Sequence, residues 1–207
     1  MKNIIFDWSG VVRETVASQL WIINKIFERW GVGAISLEEF RENWEQPYTL
    51  FYKRYVPEGY SEKDQAKMYK ELVLDKDCPK SCEIPEMVEL IRTLKSNGAF
   101  LAVVSSDLSE TLLAEVKEWG LENIFNEIVT HADDKLEAVN KIIKDNHLNR
   151  GETCFIGDSN HEIDVARTMG IKSIAVTWGF TSRNKLKAKN PDYIVDEPGE
   201  LSTILLA

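Results

Sequence analysis

Three carboxylates stand at the ends of apolar runs or one helical turn beyond them. Asp7 closes Asn3-Ile4-Ile5-Phe6-Asp7, Asp158 closes Thr153-Cys154-Phe155-Ile156-Gly157-Asp158, and Glu162 follows four residues later. Short apolar runs rich in branched and aromatic residues read as buried strands, and a carboxylate at the carboxyl end of such a strand sits where open α/β sheets place their chemistry. If a helix opens near Ser159, Asp158 and Glu162 can face the same point as Asp7. Converging carboxylates repel unless a cation or a shared proton offsets the charge, which points to a hard, oxygen-loving ion such as Mg²⁺. Val103-Val104-Ser105-Ser106-Asp107 ends a further apolar run in hydroxyls, so Ser105, Ser106 and nearby backbone N–H groups can donate to an anion's oxygens. Lys135, opening a helical pattern after Asp133-Asp134, supplies a fixed positive charge. A carboxylate nucleophile, Mg²⁺, a hydroxyl and an ammonium are the parts needed to take a phosphoryl group and stabilise its transfer.

The elements that must position these groups are legible as a regular alternation. Strand-like runs fall at 3–7, 100–106, 124–130, 153–158, 172–178 and 192–196. Between them lie the helical patterns IPEMVELIRTLKSNG, SETLLAEVKEWG, KLEAVNKIIKDN and HEIDVARTMG, three of which close on a glycine suited to a left-handed cap. Repeated strand-then-helix order implies parallel pairing in a doubly wound, Rossmann-like α/β sheet. The stretch from about Glu14 to Glu83 differs, with four helical patterns and no convincing strand. Ser36-Leu37-Glu38-Glu39 reads there as a capping box, and Pro57 to Gly59 and Pro79 supply breaks. The expected organisation is a small all-helical subdomain inserted after the first strand.

Composition bounds the partners. The chain has 207 residues, 43% of them hydrophobic, and a formal net charge of -9, which argues against nucleic acid or an anionic membrane surface as the main partner. No apolar run approaches the roughly 18 residues of a membrane span, and Asp7 comes too early for a secretory signal core, so a cytoplasmic protein is expected. Cys78, Cys82 and Cys154 lack a second cysteine pair, and His131, His147 and His161 are scattered, so reduced thiols are expected rather than a zinc site.

The same residues resemble the motifs of the haloacid dehalogenase superfamily. Asp7-Trp8-Ser9-Gly10 resembles its first motif, Ser105 its second, Lys135 its third, and Gly157-Asp158 with Glu162 its fourth. The likeness runs nearly the whole chain and is closest to the phosphoglycolate phosphatase-like branch. It implies an α/β core over 1–13 and 84–207 with a helical cap over 14–83, and Mg²⁺-dependent hydrolysis of a small phosphorylated metabolite through an aspartyl-phosphate on Asp7. Phosphate binding would fall to Ser105, Ser106 and Lys135, and metal binding to Asp7, Asp158, Glu162 and the backbone carbonyl of Ser9. Two positions depart from the pattern. Ser9 stands where an aspartate usually serves as general acid and base, a loss worth about 100 to 10,000-fold in rate, and Glu162 stands where aspartate is usual. Ser9 after Asp-Trp is also similar to phosphonoacetaldehyde hydrolases, which cleave a C–P bond with a cap lysine; Lys25 and Lys53 are the candidates here. A low-turnover protein that binds phosphorylated metabolites is the third reading. Dehalogenation fits less well, because it needs no Mg²⁺. Trp21, Trp30, Trp44 and Tyr48 either line a pocket or pack.

Overall fold

The computed structural model describes residues 1–206 except 47, 57, 59 and 133; the breaks expected at Pro57 and Gly59, and Asp133, lie outside the described residues. In chain order the strands are β1 (Asn3–Phe6), β2 (Arg13–Glu14), β3 (Cys82–Glu83), β4 (Phe100–Val104), β5 (Glu127–Val129), β6 (Thr153–Gly157), β7 (Lys172–Val176) and β8 (Tyr193–Val195). Four helices precede β3: α1 (Val16–Arg29), α2 (Leu37–Asn43), α3 (Tyr48–Tyr55) and α4 (Glu62–Leu72). The others are α5 (Pro85–Ser96), α6 (Ser109–Glu118), α7 (Lys135–Asp145), α8 (Asn160–Met169), α9 (Arg183–Ala188) and α10 (Pro198–Leu205).

Six strands form one parallel sheet in the order β5-β4-β1-β6-β7-β8. The chain moves outward from β1 through β4 to β5, then returns to pair β6 on the other side of β1. That reversal falls between β4 and β6 at β1, and α/β sheets bind ligands outside the carboxyl ends of the strands at such a point. Period-two alternation divides the core. Ile4 and Phe6 of β1 pack among Met87, Ile91 and Leu112 on one face, while Ile5 packs among Val139, Ile143 and Ala166 on the other. The glycines after α5, α6 and α8 all adopt positive φ, ending each helix as the sequence predicts.

The helical segment has its own apolar cluster, centred on Ile23, Phe27, Phe40, Phe51 and Tyr52. Ser36 caps α2 by accepting from the Glu39 amide, but the reciprocal bond of a capping box is absent, because the Glu39 carboxylate accepts from Tyr55 instead. The expectation that this stretch lacks strands needs correction: β2 and β3 pair antiparallel, Arg13 opposite Glu83 and Glu14 opposite Cys82. Two residues per strand are too few to show a period in sequence.

The segment also grips the sheet end. Arg41 of α2 donates to the carbonyls of Gly179 and Trp178 at 2.8 and 2.6 Å, and the Ser182 amide donates back to the Arg41 carbonyl. Phe180 from the same loop stacks on Trp44 at 5.3 Å and meets Phe40 edge-on. Charge-assisted bonds that are partly shielded from water are worth more than ordinary ones, so Arg41→Ala is expected to cost about 2 kcal/mol. A lowered Tm with faster hydrogen exchange at the Phe180 amide checks this; unchanged exchange there would show that the aromatic stack alone holds the loop.

Candidate active site

Asp7 leaves β1 with its amide bonded to the Ile156 carbonyl at 2.9 Å. Its Oδ1 accepts from the Trp8 amide at 2.8 Å and from the Lys135 ammonium at 3.0 Å. The next residues turn sharply: the Trp8 carbonyl accepts from the amides of Val11, Val12 and Arg13. Gly10 makes that turn at φ +79°, a region costly for any side chain, and a Cβ there would also collide with the Asp158 carboxylate.

Asp158 and Glu162 are arranged by the start of α8. Ser159 accepts from the His161 amide, while the Glu162 Oε2 accepts from the Ser159 amide and hydroxyl, a full capping box. That reciprocal bond folds Glu162 back over the strand end, against Gly157, where a Cβ would strike its side chain. Its Oε1 accepts from Lys135 at 2.7 Å. Asp158 Oδ2 accepts from the Phe180 amide at 2.7 Å, and Gly179 packs so closely on this carboxylate that no Cβ fits. Asp7, Asp158 and Glu162 each offer one oxygen within 4.8 Å of the others, all three buried.

Burial is the largest influence on each of these groups. It pushes the Asp7 carboxyl up to about 7, with Lys135 pulling the other way and Glu162 adding to the rise. Asp158 is raised well above the usual carboxylate range by burial, then by Asp7 and Glu162. For Glu162 burial is outweighed by Lys135 and Ser159, which hold its carboxyl below the ordinary value. Lys135 is raised because Asp7 and Glu162 outweigh its own burial. Three buried carboxylates around one ammonium leave an excess of negative charge that an oxygen-binding cation would offset.

A second polar network adjoins the first. Ser9 and Ser105 both donate their hydroxyls to Asp107 Oδ2, at 2.6 and 2.9 Å. Arg13 donates to the Ser9 hydroxyl at 2.8 Å, to Asp107 Oδ1 at 3.2 Å and to both oxygens of Glu115. Glu115 also accepts from the indole of Trp8, which is stacked on Trp119. Sequence reasoning missed Arg13, Asp107 and Glu115 as site residues. Asp107 had one available signal, its position two residues after Ser105; α6 brings Glu115 from a distance that no local pattern reveals. Ser106 is exposed and takes no part in these bonds. Lys25 is exposed and pairs with Glu28, and Lys53 is exposed beside Tyr60. Trp30, Trp44 and Tyr48 make ring contacts with neighbouring aromatics of the helical segment.

A raised carboxyl pKa has a definite sign in stability. Because Asp7 rises from 3.8 to about 7 on folding, its proton favours the folded state, so its contribution is full at low pH and disappears as pH climbs through about 7. In EDTA-treated protein, the Tm of wild type relative to Asp7→Asn is expected to fall between about pH 4 and 7. A pH-independent difference would mean that Asp7 titrates normally.

The sequence matches the haloacid dehalogenase-like hydrolase family over residues 4–176. A phosphoglycolate phosphatase of Synechococcus elongatus is 24% identical over 205 residues, covering 97% of this chain and 95% of the relative. The pyrophosphatase PpaX of Halalkalibacterium halodurans is 26% identical, covering 99% and 97%. A haloacid dehalogenase-like hydrolase from Streptococcus pneumoniae superposes with a TM-score of 0.80 over 99% of this chain and 98% of its own, and at 20% identity that likeness is one of fold. The match spans the first strand, the helical segment and the strand and helix that carry Asp158 and Glu162, and the chain belongs to the haloacid dehalogenase-like hydrolases.

Proposed function

We propose that the protein is a Mg²⁺-dependent phosphatase acting on a small phosphorylated metabolite through an aspartyl-phosphate on Asp7. The observation that carries this reading is the buried cluster of Asp7, Asp158 and Glu162 gathered around Lys135 at the sheet's reversal point. Relatives named as phosphatase and pyrophosphatase over nearly the full length support it. Residues 14–83 would act as a cap over this end of the sheet.

The residues present fit Mg²⁺: the donors are all oxygen, and Gly10 and Gly179 leave the space that the Asp158 carboxylate occupies, which a Cβ at either position would invade. Asp7, Asp158 and Glu162, with the backbone carbonyl of Ser9, would hold it. When bound, it supplies positive charge against the phosphoryl oxygens. Lys135 and the Trp8 amide hold Asp7 Oδ1 and oppose the rise that burial gives its carboxyl, which leaves Oδ2 as the oxygen that would attack phosphorus. Ser105, rotating its hydroxyl from Asp107, donates to a phosphoryl oxygen. With no acid at Ser9, the leaving oxygen would take its proton from solvent and depart as the alcohol, and a second water would then cleave the acyl phosphate, releasing inorganic phosphate and restoring Asp7.

The C–P reading has no support from Lys25 or Lys53, since each is exposed and engaged with its own helical segment. A binding protein without turnover would show saturable phosphate-ester binding and no release of phosphate.

Asp7→Asn is expected to remove phosphatase activity by about 1,000-fold or more with the fold unchanged. Asp158→Asn is expected to weaken Mg²⁺ affinity in a calorimetric titration. Full activity of the first variant, or unaltered affinity of the second, overturns the reading. Ser9→Asp tests the missing acid in a context that sequence did not reveal: the Asp107 carboxylate lies 2.6 Å from the serine hydroxyl, so a second carboxylate would be repelled. Ser9→Asp with Asp107→Asn is expected to raise turnover of alkyl phosphates about 10-fold over wild type, and Ser9→Asp alone much less. Equal effects in the single and double variants would show that Asp107 does not constrain position 9.

A further inference from the structure

The site is asymmetric in charge. Lys135 sits between Asp7 and Glu162, and with Asp158 these make three carboxylates to one ammonium, an excess that a bound divalent cation would balance. Across Ser9 the charged groups are Asp107, Glu115 and Arg13, two carboxylates to one guanidinium. Arg13 is committed internally: one terminal nitrogen serves Glu115, and the other serves Ser9 and Asp107. Its remaining donor, Nε, is buried without a partner. Arg41, the cation of the helical segment that reaches the sheet end, is turned onto the carbonyls of Trp178 and Gly179.

Asp107 is placed to be felt by whatever occupies the site. One oxygen takes the hydroxyls of both Ser9, two residues from Asp7, and Ser105, so the carboxylate lies between the nucleophile turn and the anion-binding strand end. It is not sealed off: the side chains of Asp107 and Glu115 keep 21% and 16% of their surface open. A substrate group on this side meets net negative charge and hydrogen-bond acceptors. A second anion there would be repelled in a partly dry setting, whereas a neutral hydroxyl would find acceptors for its proton.

Resting on the phosphatase reading of the same site, we propose that the substrate is the phosphate ester of a neutral polyhydroxy compound. Asp107, backed by Glu115, is the specificity-determining residue, excluding esters whose leaving group carries a carboxylate or a second phosphate. This separates the chain from the substrates named for its relatives.

A matched pair of esters tests it: 2-hydroxyethyl phosphate and phosphoglycolate share a skeleton and differ in the carboxylate. With Mg²⁺, wild type is expected to favour 2-hydroxyethyl phosphate in kcat/KM by about 10-fold or more, and to disfavour pyrophosphate likewise. Added salt should narrow the preference, because screening weakens repulsion. Asp107→Asn keeps an acceptor for both hydroxyls and removes the charge, so the ratio should shift toward phosphoglycolate by about 10-fold, while Asp107→Glu retains the wild-type ratio. A wild-type preference for phosphoglycolate, or a ratio unmoved by both Asp107→Asn and salt, overturns the inference and leaves the phosphatase reading standing. If wild type turns over no ester at all, the phosphatase reading falls. The inference is then decided by calorimetric affinities of the two esters for Asp7→Asn with Mg²⁺: tighter 2-hydroxyethyl phosphate upholds charge exclusion, and equal or reversed affinities sink it.

Discussion

A buried ammonium holds this site together. Lys135 lies almost fully out of solvent between Asp7 and Glu162, at 3.0 and 2.7 Å, and without it the strand ends of β1 and β6 would meet carboxylate against carboxylate. Burying one charge is costly, and burying a set is tolerable only when each member has partners. Glu162 meets that condition twice, through Lys135 and through the capping box that starts α8. Asp158 does not: it accepts from the Phe180 amide and forms no ion pair among the described residues, so burial, with Asp7 and Glu162 nearby, raises it far. The site is thus organised around a deficit of positive charge, and that deficit is its chemical capacity.

The Phe180 amide links this electrostatic centre to the helical segment. Its N–H holds Asp158, while its ring belongs to the segment's aromatic cluster with Phe40 and Trp44. Arg41 fixes the two carbonyls just before it. Residues far from the chemistry therefore set the orientation of a carboxylate within it, the usual way second-layer contacts tune a metal or phosphate site. Glycine at 179 is required by the same packing, since any side chain would displace Asp158.

Arg13 plays the corresponding part on the other side of Asp7. It begins the short ribbon that leads into the helical segment, and its guanidinium ties Ser9 in the first turn to Asp107 after β4 and Glu115 on α6. Trp8, stacked on Trp119 and bonded to Glu115, anchors the turn from beneath. The carboxylate nearest Ser9 is supplied from outside its own turn, by Asp107 after β4.

How much of this was legible along the chain follows from the range of the forces involved. The sheet strands were, because each is a short apolar run with turn residues at its ends, and so were helices α1 to α8, whose apolar positions recur at three and four, whereas the short α9 and α10 were not read. Asp7, Ser105, Lys135, Asp158 and Glu162 were legible as candidates because each follows or opens such an element, and strand ends in an alternating fold must come together. The ribbon of Arg13–Glu14 and Cys82–Glu83 was not, since pairs of residues carry no period. Nor was the Asp107–Arg13–Glu115 network or the grip of Arg41 on the Trp178–Gly179 carbonyls. Periodicity and capping act over a few residues and leave their record in local sequence, whereas hydrogen bonds between groups about 100 positions apart exist only once packing has brought their elements within 3 Å.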